Sequence, residues 1–367
     1  MRAAGLILAA LLAAFPSVAA SGQRPAQPPA FRSGVQLLEV DARVFDRDGR
    51  FVETLTIDDF EIIEDGKPQT IQTMFLVGGS RAAAGRAATA GAAVDAAASG
   101  LPRAPQTWIF IFDRKHLRPG GYRRAKVALD AFMKERFRAG DLAGIVADEK
   151  MIDNRITSVR AEFLSTLAKV RTPGDSAARD ADAAEAAAAG GDGEAGAAIR
   201  EALGILNARE VERAARDTVE LLDELARGLA TMPGPKTVVM MSDGFALGRL
   251  EEAVRRVVGQ MNRAGARVYA VDTRGIAGPP GDAVNSLAAD TGGLVLFNVN
   301  NLGPVFDEIA ADTNTYYVLG YQPLNTKFDG KYRRIEVRVK RPELTVRARK
   351  GYLALAPSMM LVPKQVR

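Results

Sequence analysis

Two short apolar runs, each ending in an aspartate, constrain this chain more than any other feature. Thr107-Trp108-Ile109-Phe110-Ile111-Phe112 leads into Asp113, and Thr237-Val238-Val239-Met240-Met241-Ser242 leads into Asp243. A nearly unbroken apolar run bounded by turn residues is the pattern of a strand buried on both faces of a parallel sheet. Open α/β sheets place their sites beyond the carboxyl ends of such strands. Asp113 and Asp243 are therefore expected at one rim of one sheet. Further apolar runs at 141–147, 267–272 and 294–297 alternate with helical periodicity at 122–137, 161–170, 199–232, 250–264, 283–289 and 305–312. That alternation implies a doubly wound, Rossmann-like α/β sheet with helices on both faces. In the longest helix Ile199, Leu203, Leu206, Val219, Leu222, Leu225 and Leu229 mark the buried stripe, and Pro233-Gly234-Pro235 stops it.

Both ends of the chain read as β. Strands are expected at 35–45, 51–56, 60–64 and 70–77, with Asp48-Gly49 and Asp65-Gly66 as turns. They return at 316–321, 333–340 and 344–349, with Asp329-Gly330 as a hairpin signal. Each group has too few strands to bury a core alone. The two groups are expected to pair into one small β-sandwich, with the α/β unit inserted between its strands. The expected order is then a sandwich half over 35–77, an Ala/Gly/Arg-rich linker over 78–106, and the α/β unit over 107–314 with a low-complexity loop at 171–194. The second sandwich half follows over 315–355, and a tail over 356–367.

Residues 1–20 have the layout of a signal peptide: Arg2, an apolar stretch over 3–15, and Val18-Ala19-Ala20 before the expected cleavage. A flexible Pro/Ala-rich lead over 21–34 follows. The chain has no cysteine, which excludes disulfides, thiolate metal sites and a cysteine nucleophile. A bacterial periplasmic or secreted protein stabilised by its packed core fits these features. No later run is apolar for long enough to span a membrane. The net charge of +5 is spread along the chain without a basic block, so no nucleic-acid arm is expected.

In this order the blocks resemble a von Willebrand factor type A protein, most closely the related proteins grouped from acidobacterial genomes. The blocks are Leu55-Thr56-Ile57-Asp58-Asp59-Phe60-Glu61-Ile62-Ile63-Glu64-Asp65-Gly66-Lys67-Pro68, Ile109 to Asp113, Lys236 to Gly244, Tyr269-Ala270-Val271-Asp272-Thr273-Arg274-Gly275, and Tyr317-Val318-Leu319-Gly320-Tyr321 with Gly330-Lys331-Tyr332-Arg333. The resemblance implies a domain that binds proteins or other macromolecules at its carboxyl edge, often through a divalent cation in a metal-ion-dependent adhesion site. That site is written Asp-x-Ser-x-Ser, with a Thr and an Asp from later loops. Here Asp113 and Asp243 match the aspartates, but Lys115 and Leu117 stand where the serines belong. The Thr position falls in the loop after residue 170, where Thr172 and Ser176 are candidates. Mg²⁺ asks for nearly octahedral oxygen ligation, so the site reads as degenerate, with no cofactor expected. Lys115 either sits between Asp113 and Asp243 as a built-in cation or points to solvent.

His116 is the chain's one histidine and reads as loop polarity, because no Gly-x-Ser-x-Gly elbow accompanies it. One His and no Cys cannot assemble a usual zinc site. Asp46-Arg47-Asp48-Gly49 lacks the later ligands of a calcium loop and reads as a turn. Asp272 either extends the acidic rim or caps the next turn. The expectation is an exported, non-enzymatic binding protein that presents Asp113, Lys115, His116, Ser242 and Asp243 to a protein or envelope polymer. The alternatives are an envelope metal-assisted hydrolase using the same aspartates and a structural subunit of a surface assembly.

Overall fold

The computed structural model describes residues 37–78, 105–147, 150–171, 194–274, 282–298 and 301–355. The expected signal peptide, the Pro/Ala-rich lead, most of the linker and of the low-complexity loop, and the tail lie outside them. In chain order the strands are β1 (Leu38–Phe45), β2 (Phe60–Glu64), β3 (Lys67–Gln69) and β4 (Ile71–Val77), then β5 (Thr107–Phe112). Helix α1 (Pro119–Glu135), strands β6 (Leu142–Ala147) and β7 (Lys150–Thr157), and helices α2 (Arg160–Lys169) and α3 (Glu194–Leu229) follow. Next come β8 (Lys236–Met241), α4 (Glu251–Arg263), β9 (Ala266–Val271), α5 (Asp282–Asp290), β10 (Val295–Leu296) and α6 (Gly303–Asn314). The chain closes with β11 (Tyr316–Tyr321), β12 (Tyr332–Val339), β13 (Thr345–Ala348) and β14 (Gly351–Leu353).

The central sheet has the order β10-β9-β8-β5-β6-β7. Every residue of β5, β8 and β9 is buried, as their unbroken apolar runs demand. Chain order runs outward from β5 through β6 to β7, then restarts at β8 and runs the other way to β10. The reversal between β5 and β8 is the topological switch point of a doubly wound sheet. Helices cover both faces. Phe132, Phe163 and Phe306, from α1, α2 and α6, pack on Phe110, and Val219, Leu222, Val258 and Leu287, from α3, α4 and α5, cover the other face around Val238 and Met240.

Strand β7 has no counterpart in the sequence reading. It pairs antiparallel with β6 at the sheet's edge, and its residues are mostly exposed or half-buried, so it carries no apolar run. Residues 51–56 are also not a strand beyond a single bridge from Phe51 to Phe45.

The two terminal β groups pair as expected. Strand β11 runs antiparallel between β1 and β4, with β13 completing one sheet; β12 pairs with β2 and β14 in the other. Val40, Ala42, Met74, Leu76, Tyr317 and Leu319 from the first sheet meet Phe60, Ile62, Ile335 and Val337 from the second in one core. The hairpin expected at Asp329-Gly330 is not formed: β11 and β12 belong to different sheets. Asp329 Oδ1 instead accepts from the Lys331 amide at 3.1 Å and from Arg333, closing a local turn.

Candidate functional site

The site grows out of the switch point. Beyond Phe112, residues Arg114–His116 form one 3-10 turn, which folds His116 back over Asp113. The His116 amide donates to the Asp113 carbonyl at 2.9 Å, and its Nδ1 lies 3.0 Å from Asp113 Oδ2. The backbones of the two rim segments are stitched together as well. The Asp113 amide donates to Met241 at 3.1 Å, and the Asp243 amide donates to the His116 carbonyl at 2.6 Å. Asp113 and Asp243 therefore stand at one rim, beyond neighbouring parallel strands.

Asp113 is only 5% exposed, and three side chains converge on it. Ser242 Oγ donates to its Oδ2 at 2.7 Å, Thr218 Oγ1 donates to its Oδ1 at 3.2 Å, and the His116 ring closes the third side. A buried carboxylate needs such donors, since an unpaired one would lose its hydration with no return. The ring of His116 also packs on Phe245 at 5.0 Å, and its Nε2 has no hydrogen-bond partner among the described residues.

Asp243 is held differently. It accepts from Thr273 Oγ1 at 3.1 Å and from the Arg118 amide at 3.3 Å, with the exposed Arg118 guanidinium 3.7 Å away. Burial, the largest cause, pushes its carboxyl above the usual range, and the hydrogen bonds from Thr273 and Arg118 pull it back. The charge of Asp272 adds to the rise. Asp272 itself caps the following turn: it accepts from the Arg274 amide at 2.9 Å and from the Arg274 guanidinium at 2.7 Å. Gly121 opens α1 against this wall, where any Cβ would run into Thr273 Oγ1.

Lys115 makes its ion pair with Asp217 on α3. The groups that reach the two aspartates are thus His116, Thr218 and Ser242 at Asp113, and Thr273 and Arg118 at Asp243. The hydroxyl that sequence reasoning missed is Thr218. Sequence alone places this hydroxyl in the loop after residue 170, where Thr172 and Ser176 lie outside the described residues. The signal was present in α3, where Thr218 is a buried polar residue between Ala215, Val219 and Leu222 on an apolar stripe. A threonine on such a face needs an acceptor from the structure beneath it.

The donor set fits a divalent cation poorly. Both oxygens of Asp113 are already taken by donors, and the two expected serine positions hold Lys115 and the buried Leu117. Among the described residues no three His, Cys, Asp or Glu side chains are grouped to hold a metal. The set is no better arranged for hydrolysis. A nucleophilic serine needs the histidine between itself and the aspartate, whereas Ser242 and His116 both bond Asp113 directly, and Ser242 is 1% exposed.

No family model and no curated protein matches the chain. Among solved structures it is similar to an aerotolerance-related membrane protein from Bacteroides fragilis, at 12% identity and TM-score 0.37, over 57% of this chain and 98% of that one. It is similar to BatB from Bacteroides thetaiotaomicron at 13% identity and TM-score 0.34, over 57% and 96%. A third likeness is to the TFIIH p34 N-terminal domain, at 13% identity and TM-score 0.28, over 56% and 96%. Among the described residues no helix is long and apolar enough to cross a membrane.

Proposed function

We propose that this chain is an exported, non-enzymatic binding protein of the von Willebrand type A kind, whose carboxyl edge grips a protein or envelope polymer without a divalent cation. The observation that carries this reading is the saturation of Asp113 by His116, Thr218 and Ser242. A carboxylate that already accepts from three side chains of its own protein has less to offer an ion or a water than an open one. What remains is a preformed rim. Buried Asp113 and Ser242 fix the backbone, and Lys115, His116, Asp243 and the exposed Arg114 and Arg118 stand around it. A rim whose polar groups are held in place before contact loses little freedom on binding, and this favours recognition over chemistry.

Capture from envelope extract tests the reading. The full chain is expected to retain its partner in EDTA, and the surface change Arg118→Glu is expected to weaken retention at least tenfold, about 1.4 kcal/mol. A partner released by EDTA, or substrate turnover that follows Asp113, would overturn it.

A further inference from the structure

At the opposite end of the central sheet a second site is built from arginines. A cavity of 310 Å³ lies where the sandwich meets the amino ends of β8 and β9. Its wall includes Arg43 and Asp41 from β1, Tyr316 from β11, Arg267 from β9, Arg349, and the exposed Glu39. Three guanidiniums thus face two carboxylates. Arg43 and Arg267 both lie over the Tyr316 ring, at 5.0 and 4.9 Å from its centroid. Their existing pairs do not use them up. Arg43 Nε donates to the Asp312 carbonyl at 2.8 Å and lies 3.2 Å from the Asp312 carboxylate, and Arg267 Nη2 donates to Asp41 at 2.8 Å. Arg349 Nη1 donates to the Asn262 carbonyl at 2.6 Å.

Four guanidinium nitrogens are left over: Arg43 Nη1 and Nη2, Arg267 Nη1 and Arg349 Nε are buried and have no acceptor among the described residues. Arg43 and Arg267 are 1% and 5% exposed. Buried N–H groups on charged side chains are costly to leave unpaired. Arg43, Arg267 and Arg349 line the cavity, which is the open space on their side of the molecule from which an acceptor can come. A planar oxyanion matches the fork of a guanidinium. At roughly 30 Å³ per water, the cavity has room for a ligand of about ten heavy atoms.

We propose that this cavity is a binding site for a small oxyanion, a free phosphate or a short carboxylate, held by Arg43, Arg267 and Arg349 between the sandwich and the α/β unit. It lies a full strand away from Asp113 and Asp243, roughly 20 Å along β8, and does not depend on the reading of that rim.

The experiment is calorimetry and thermal unfolding of the full chain with inorganic phosphate and, separately, malonate, each against sodium chloride at matched ionic strength. Saturable one-to-one binding of either anion, with a midpoint that climbs with the logarithm of its concentration, is the expected result. Preference for one anion then identifies the class. Two variants localise the site: Arg349→Gln removes one fork, and Val318→Phe fills the lined space while keeping every arginine. Each should weaken binding tenfold or more, and the second variant covers the case in which the first fails to fold. Absence of saturable heat with both anions, or unchanged affinity in the folded variants, overturns the proposal.

Discussion

Strand β8 begins on a buried lysine, Lys236, and runs out beside a half-buried aspartate, Asp243, and the protein treats its two ends in opposite ways. At the carboxyl end the central carboxylate, Asp113, is matched by donors from three separate elements. At the amino end guanidiniums outnumber carboxylates in the cavity wall, and several of their nitrogens have no acceptor. One rim is closed on itself and offers a finished shape; the other leaves buried guanidinium nitrogens without acceptors among the described residues. On the proposed reading, an acidic cluster at a sheet's edge is not by itself a sign of a missing ion. The balance of donors and acceptors has to be followed at each atom before a ligand is inferred.

The comparison can be broken most forcefully at Asp312. Its carboxylate accepts from Arg43, Arg347 and Tyr269, and its side chain is 5% exposed. Asp312→Ala leaves the buried Arg43 and the half-buried Arg347 short of their counter-charge and should cost about 3–5 kcal/mol in urea unfolding. A loss below about 1 kcal/mol would show that charge pairing does not hold the amino end together. A bound oxyanion should restore part of the loss.

Lys236 sharpens the same end. Burial lowers its ammonium from 10.5 to about 8, while its Nζ donates to the Ala264 carbonyl at 2.7 Å. The unfolded chain therefore holds that proton more tightly than the folded one. Stability should rise as pH increases from about 8 towards 10.5, by roughly 3 kcal/mol, and be lost as pH falls through that window. Tyr317 and Tyr332, which burial raises from 10.0 to about 12, oppose the rise above pH 10. Lys236→Met should flatten the curve between pH 8 and 10, measured by urea unfolding at each pH.

At the carboxyl end the effects are smaller. Asp113→Asn keeps the shape but removes the charge that His116, Thr218 and Ser242 converge on, and should cost about 1–3 kcal/mol. If it costs nothing, the rim is not closed in the sense argued above. Asp243 has the reverse sign. Its folded value is raised, so its contribution is fully present below the unfolded value of 3.8 and is lost as pH rises through the folded one. Asp243→Asn should erase that acid-side slope and leave stability at neutral pH the same or slightly higher, the smallest effect of the four.

How much of this was legible in the sequence follows from how locally each feature is encoded. The doubly wound sheet was readable because β5, β8 and β9 are buried along their whole length, and such burial writes itself as an apolar run. The exposed edge strand β7 writes no such signal. The Asp-Gly pairs taken as turn signals look alike in sequence. Asp65-Gly66 joins paired strands β2 and β3, whereas Asp329-Gly330 lies between strands of different sheets. A turn signal fixes a local bend, and long-range pairing decides what the bend connects. At the rim, the two aspartates could be placed from their strands. Of the partners of Asp113, His116 and Ser242 were expected at the same rim, but Thr218, 105 positions away in sequence, was not. The arginine cavity was invisible for the same reason, since it gathers residues from both ends of the chain.

One small junction has a wider consequence. Val77 and Tyr316 are register partners in β4 and β11, and the Thr315 hydroxyl reaches towards the Gly78 carbonyl across 237 positions of sequence. Gly78 lies at φ +73°, where a Cβ would strike the Asn314 carbonyl, so the crossing is tailored to a bare backbone. The inserted unit thus leaves and re-enters the sandwich through a single gate. Closing so long a loop unaided costs about 5 kcal/mol of chain entropy, so the outer strands are expected to pair after the interior has folded and brought its ends together. The middle of the polypeptide acts as the clasp on which its two extremities close.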